Sequence, residues 1–336
     1  MAELLPQASL TGCAMNAVDP VWALLAFLLV LAACGAGAED QAVPRDAPWV
    51  KYERNPVLGG QLGTCFDVAV LKEDKTFRMW FSWRPKNSLA LVESEDGIHW
   101  HGPDQPPGAE PVRPLVVLPG DRPGLLKRGD IYHLWYATGQ IRYATSRDGK
   151  VWKPMSDQPV LKPELPWEKR HVMCPHVIWD APTRRFRMWY SGGEGYEPDA
   201  IGYATSPDGI AWTKHPQNPV FRPDRSQDWE KDRVTACQVV VQEGWHYMFY
   251  IGFRDVNTAQ IGLARSKDGI TGWQRHPANP IIRARKGDWD GDACYKPFAV
   301  LEGNRWMLWY NGRRGDFEQI GLATREGARL AAGFER

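Results

Sequence analysis

Four polar residues interrupt otherwise apolar runs in this 336-residue chain. They are Asp67 in Cys-Phe-Asp-Val, His176 in Cys-Pro-His-Val, Gln238 in Cys-Gln-Val and Lys296 in Cys-Tyr-Lys-Pro. A buried polar group without a partner costs roughly 1–3 kcal/mol, so each must find a partner, a water or a ligand. The chemistry on offer is proton transfer and charge stabilisation. A carboxyl such as Asp67 can give or take a proton, and an imidazole such as His176 titrates near neutrality. An ammonium such as that of Lys296 stabilises developing negative charge. Each of the four follows a cysteine, at Cys65, Cys174, Cys237 and Cys294. The wide spacing of these cysteines matches no compact zinc pattern, so they read as small residues in a crowded interior, and no metal or other cofactor is expected.

The elements that must hold these residues are written in a repeat. Ser94-Glu95-Asp96-Gly97-Ile98-His99-Trp100 returns at Ser146–Trp152, at Ser206–Trp212 and, with one extra residue, at Ser266–Trp273. The glycines are spaced by 52, 60 and 60 residues. Asp-Gly between short apolar runs predicts a two-residue hairpin turn. Upstream of each turn runs a strand such as Ile201-Gly202-Tyr203-Ala204. Upstream again is a second such as Met188-Trp189-Tyr190, then an apolar third such as Val239-Val240-Val241. Strand-rich repeats of this length predict a propeller. The expected fold is all-β: five blades of four antiparallel strands over residues 48–336. The last unit lacks a fourth strand. Trp49 to Asn55-Pro56-Val57 keeps the step of Trp212 to Asn218-Pro219-Val220, so an N-terminal strand is expected to close the ring.

In such a blade, the loop entering the innermost strand and the loop between the second and third strands share one end of the central channel. That topology gathers scattered residues. Arg122, Arg170, His171, Arg233, Asp292 and Tyr295 join the four above at the inner strands. The second-to-third loops add Arg84 and Lys86, Glu194 and Glu197, Arg254 and Asp255, then Arg313, Arg314 and Glu318. The expected substrate-binding set is Arg84, Arg122, Arg170, Arg233, Gln238, Arg254, Asp255, Lys296 and Arg313. The count of 17 Trp is high, but most fall in repeated slots and so read as packing between blades. A formal charge of +1 with no basic block argues against a nucleic-acid surface.

The phrases Met188-Trp189-Tyr190-Ser191-Gly192, Ile201-Gly202-Tyr203-Ala204-Thr205-Ser206 and Asn218-Pro219-Val220 resemble the five-bladed propellers of glycoside hydrolase families 32 and 43 and the related mannoside phosphorylases. The resemblance covers the whole chain after its leader. It implies one acidic residue from each of the first three blades, two of them flanking the scissile bond. Asp67 matches the first by its place in the inner strand. Where the family has Arg-Asp-Pro, this chain has Asp121-Arg122-Pro123. Where family 32 has Glu-Cys-Pro, it has Met173-Cys174-Pro175, and methionine donates no proton. The acid must then come from His176 or Glu194. Glu168 is the nearer carboxylate in sequence, but Trp167-Glu168-Lys169 is repeated as Trp229-Glu230-Lys231 and reads as structural.

Three functions compete. The first is an exported glycoside hydrolase acting on carbohydrate at the channel mouth. The second is a non-catalytic carbohydrate-binding surface protein, which the missing third-blade Glu favours. The third is a glycoside phosphorylase, for which Arg170, Arg233, Lys296, Arg313 and Arg314 could bind phosphate. Export weighs against the third, because phosphorolysis serves cytoplasmic sugar economy.

Export is read from residues 1–38, a signal or lipoprotein leader, followed by a short linker at 39–47. Val21 to Ala33 is nearly all apolar and short for a membrane span. Leu31-Ala32-Ala33-Cys34 looks like a lipoprotein signal, with Cys34 the lipidation site. Ala36-Gly37-Ala38 is a competing cleavage site, and residues 1–20 lack the usual Lys or Arg. The expected location is periplasmic or cell-surface, with membrane contact only through a lipid. Globomycin-sensitive processing of the expressed chain identifies Cys34 as the anchor; a mature N-terminus at Glu39 excludes it.

Overall fold

The computed structural model describes residues 47–335. The leader, Cys34 and all but the last residue of the 39–47 linker lie outside them. The described chain opens with a two-residue strand, β1 (Val50–Lys51). A four-stranded antiparallel sheet follows, made of β2 (Cys65–Glu73), β3 (Thr76–Trp83), β4 (Ser88–Ser94) and β5 (Leu115–Pro119). A second contains β6 (Asp121–Arg128), β7 (Ile131–Ala137), β8 (Ile141–Ser146) and β9 (Lys153–Pro154). A third contains β10 (His171–Asp180), β11 (Arg185–Gly193), β12 (Ala200–Ser206) and β13 (Thr213–Lys214).

The remaining strands form one eight-stranded sheet. Its first half is β14 (Arg233–Gln242), β15 (Trp245–Asp255), β16 (Thr258–Ser266) and β17 (Gln274–Arg275). Its second half is β18 (Ala293–Glu302), β19 (Arg305–Arg314) and β20 (Phe317–Glu326), with β1 on the outer side of β20. Val50 lies opposite Thr324 and Lys51 opposite Ala323. The two halves are joined in the sheet by one parallel bridge, Ala259 to Ala293.

The repeated Ser-x-Asp-Gly phrase forms a longer loop than the two-residue turn expected. The glycine of Asp-Gly is left-handed, with φ between 72° and 82° in the four copies, and only the extra Gly272 of the fourth joins it, at 58°. Side chains supply the rest. Ser206 Oγ accepts the Gly209 N–H at 2.8 Å, and Asp208 Oδ1 accepts the N–H groups of Ile210 and Ala211 at 2.9 and 2.8 Å. The glycine carbonyl accepts from a tryptophan of the preceding unit, and at Gly149 and Gly209 also from the phrase's own Trp152 and Trp212. Trp80 donates to Gly149, Trp135 to Gly209, Trp189 to Gly269 and Trp309 to Gly97, at 2.8–3.0 Å. All four indoles are fully buried. A Cβ on Gly209 would sit 2.9 Å from Trp135, so the close approach itself requires glycine. Phe249 holds the corresponding place in β15 and has no N–H to give.

The Trp-acid pairs are structural, as their repetition suggested. Glu168, Glu230 and Asp290 are completely buried. Each accepts a tyrosine hydroxyl from its own sheet: Tyr190 at 2.6 Å, Tyr250 at 2.7 Å and Tyr310 at 2.8 Å. Each also meets a cation from its outermost strand, namely Lys214, Arg275 and Lys51. Breaking one side of a buried pair leaves an uncompensated charge and costs about 3–5 kcal/mol. Glu168→Ala is therefore expected to lower unfolding free energy by about that amount, measured by urea denaturation.

Candidate functional site

Each innermost strand carries a bulge at the same height. The register slips between Phe66 and Ala69, Asp121 and Gly124, Met173 and His176, Thr235 and Cys237, and Tyr295 and Phe298. Inside each slip one non-glycine residue is left-handed: Asp67, Arg122, Cys174, Ala236 and Lys296, with φ of 51°, 53°, 51°, 34° and 54°. Such conformations cost on the order of 1–3 kcal/mol each and persist only where neighbours enforce them. Three are held by a side chain from the preceding unit. The backbone N–H of Asp67 donates to Asn311 Oδ1 at 3.0 Å, that of Arg122 to Ser82 Oγ at 2.9 Å, and that of Ala236 to Ser191 Oγ at 2.8 Å. Ala137 and Ile251 occupy the corresponding positions of the other two sheets and cannot accept.

The five bulges converge on a central cavity of about 40 Å³, room for about one water molecule. Lys296 is its hub. Its Nζ lies 3.7 Å from Asp67 Oδ1, 3.1 Å from Glu197 Oε2 and 3.5 Å from Cys174 Sγ. Burial works against the Lys296 charge, but Cys174, Glu197 and Asp67 together hold its pKa above the ordinary lysine value. Burial pushes Asp67 up to about 6, against the opposing pull of Lys296 and Arg122. The Cys174 thiol is pushed up to about 11, also by burial. Arg122 donates to Asp121 Oδ2 at 2.6 Å and lies 4.2 Å from the ring centre of Tyr196. Its Nε and Nη2, Asp67 Oδ1 and Asn311 Nδ2 are buried without hydrogen-bond partners. Donors and acceptors left unpaired together in this way suit a ligand rich in hydroxyls.

Of the expected residues, Asp67, Arg122 and Lys296 converge. Two others act through the loop between β11 and β12, where Tyr196 and Glu197 sit. Arg233 Nη1 donates to the Glu197 carbonyl at 2.9 Å, and Arg84 at the mouth is held charged in part by Tyr196. His176 lines the cavity too, and the rest lie elsewhere. Arg254 pairs with Asp255 at 3.1 Å at the end of β15, and Arg313 donates to the Asn257 carbonyl at 2.5 Å.

Three expectations are corrected. His176 is buried and pushed down to about 4, and its Nε2 is 2.9 Å from the Val239 carbonyl. It is a neutral imidazole spent on the neighbouring strand, not an acid. Gln238 is likewise spent: its amide donates to the Ala299 carbonyl at 2.8 Å and accepts the Ala299 N–H at 2.6 Å. Glu194 is exposed and paired with exposed Arg170 at 2.7 Å. Its loop neighbour Glu197 is the carboxylate that reaches the centre. Glu197 carried one signal in the sequence, as an unrepeated acid in a loop already assigned to the channel mouth. Tyr196 carried none.

No known family profile matches this chain. A stretch of 136 residues is 31% identical to the 1,2-beta-oligomannan phosphorylase of Thermoanaerobacter sp. (strain X514), spanning 37% of this chain and 43% of that protein. Among solved structures, a thermostable family-43 glycoside hydrolase superposes with a TM-score of 0.62 at 16% identity, over 79% of this chain and 90% of its own. A structure from the GH130 family of mannoside phosphorylases, described as containing hydrolases that target β-1,2 mannosidic linkages in Candida mannan, gives a TM-score of 0.65. It is 15% identical over 88% of this chain and 98% of its own. The fold is thus shared with both groups, as the sequence resemblance implied.

The Asp67 shift makes a prediction that needs no substrate. A carboxyl raised from about 4 to about 6 favours the folded state when protonated, and that advantage is lost as pH rises through 6. Asp67→Asn removes the penalty of burying the charge. The variant should gain stability relative to the parent by on the order of 2 kcal/mol between pH 5 and pH 8, read from paired urea unfolding curves.

Proposed function

We propose that this chain is a carbohydrate-active enzyme, a glycoside hydrolase cleaving glycosidic bonds at the channel mouth of a five-bladed propeller. The blade count follows if the eight-stranded sheet is two blades joined by the Ala259–Ala293 bridge, with β1 completing the fifth. The observation that carries the functional reading is the pair Asp67 and Glu197, two carboxyl groups on either side of one ammonium. Glycosidic cleavage asks one carboxyl to donate a proton to the leaving oxygen and the other to act as base or nucleophile. Asp67, with its pKa near 6, is the proton donor. Glu197, ion-paired with Lys296, is the second carboxylate. The cavity is too small for a sugar ring, so the ring lies above it, against Tyr196 and Arg84, with the unpaired edge of Arg122 buried beneath. We extend the proposal to export through the N-terminal leader.

A phosphorylase is the second reading. It is favoured by the free Nε/Nη2 edge of buried Arg122 near Lys296, and by the stretch similar to an oligomannan phosphorylase. Phosphate would then take the place of water as nucleophile.

The deciding experiment screens the purified protein against aryl glycosides and plant, algal and mannan oligosaccharides, with and without phosphate. Turnover without phosphate is expected, falling about 10²–10⁴-fold in both Asp67→Asn and Glu197→Gln. It should also fall as pH rises above about 6, where Asp67 loses its proton. Turnover only with phosphate selects the second reading. Full activity in Asp67→Asn would sink both assignments.

A further inference from the structure

The three Trp-acid corners are not equivalent. In two of them the outer-strand cation reaches past the buried acid to the segment that connects one unit to the next. Lys214 Nζ donates to the Lys162 carbonyl, and Arg275 Nη2 to the Arg222 carbonyl, both at 2.7 Å. The acids reach the same segments. Glu168 Oε2 accepts the N–H groups of Glu164 and Leu165, and Glu230 Oε1 accepts that of Asp224. Acid and cation together stitch the connecting segment to the outer strand.

The third corner has aspartate in place of glutamate, one methylene shorter. Lys51 and Tyr310 both bond Asp290 Oδ2, at 2.6 and 2.8 Å. Asp290 Oδ1 is buried with no partner. Among the described residues no bond runs from Lys51 or Asp290 to the segment 281–288. The short acid draws the ammonium inward, and the stitch is missing. Between residues 49–55 and 281–289 a groove of about 640 Å³ stands open. It shares no lining residue with the central cavity. Its volume is within the range of small-ligand sites.

The lining fits one ligand chemistry. Trp49, Tyr52 and Trp289 supply flat apolar rings, while Arg283, Arg285 and Asp288 supply donors and acceptors of both signs. A sugar presents the complementary pattern, with C–H faces for the rings and hydroxyls that both donate and accept. Neither sign of charge prevails enough to select an ion. We propose that this groove is a second, non-catalytic carbohydrate site that holds a short oligosaccharide at the edge of the sheet. The inference goes beyond the proposed activity, and its readout is binding rather than turnover.

Titration calorimetry of the Asp67→Asn protein with manno-, xylo- and gluco-tetraose tests it. Binding of at least one tetrasaccharide at the groove is expected. Asp290→Glu, added to that background, restores the acid of the sister corners and lets Lys51 reach the connecting segment. Affinity at the groove should fall at least tenfold while the melting temperature is kept or raised. Tyr52→Ala should weaken binding similarly, and it carries the test alone if the longer acid does not fold. In the otherwise native enzyme both changes should leave turnover of a small aryl glycoside unchanged. Tetrasaccharide binding whose stoichiometry and affinity are unchanged by both substitutions, or no binding of any of the three sugars, overturns the proposal. Groove binding without turnover by the native protein would instead fault the hydrolase reading and leave this one standing.

Discussion

The left-handed residue in each innermost strand is the constraint on which the site depends. In a regular strand, successive side chains alternate between the two faces of the sheet. A bulge breaks that alternation and re-aims one side chain. Here five bulges at one height aim Asp67, Arg122, Cys174, Ala236 and Lys296 at a common point. A carboxylate, a guanidinium, a thiol and an ammonium could not otherwise meet at the centre of an apolar core. Strain of roughly 5–15 kcal/mol in total is spread over the sheets that enforce it. The enforcement crosses from unit to unit, through Asn311, Ser82 and Ser191 at the bulges and through the Trp–Gly bonds further out. No single sheet can build this site alone.

The electrostatics follow from that convergence. Lys296 is charged because three groups that prefer a cation surround it, and Asp67 is raised because burial outweighs the cations beside it. The two shifts are coupled. Removing the ammonium would leave the carboxyl one near cation, Arg122, which it shares with Asp121.

Repetition made the scaffold legible. The Ser-x-Asp-Gly phrase, the Met-Trp-Tyr strands and the Trp-acid pairs recur because each meets the same packing demand, and a pattern written three to five times is hard to misread. The same test separated Glu168 and Glu230 from chemistry, and their complete burial against Tyr190 and Tyr250 agrees. Asp67 and Lys296 were legible for the opposite reason, as polar breaks in apolar runs. His176 and Gln238 carried the same signal but found partners on neighbouring strands, at Val239 and Ala299. Those partners lie about 60 residues away, and nothing local in the sequence announces them. Glu197 lies in an unrepeated loop, where neither periodicity nor burial pattern ranks one acid above another. The Asp-Gly turn was misjudged in length because the Ser and Asp side chains, rather than a second left-handed residue, close it.

The pairing of β1 with β20 sets an order of events in the life of the chain. Val50 is among the first described residues to be synthesised, and its partner Thr324 is among the last. Until β20 has been made, one strand waits without a neighbour and the opposite edge does not yet exist. Closure over so long a loop is entropically the most demanding of the strand pairings and comes late. Throughout that interval the nascent chain offers an open edge, the kind of surface that a second copy can complete in place of its own terminus. Holding the β1 segment close by, or keeping copies apart until β20 has paired with it, thus becomes part of what making this protein requires.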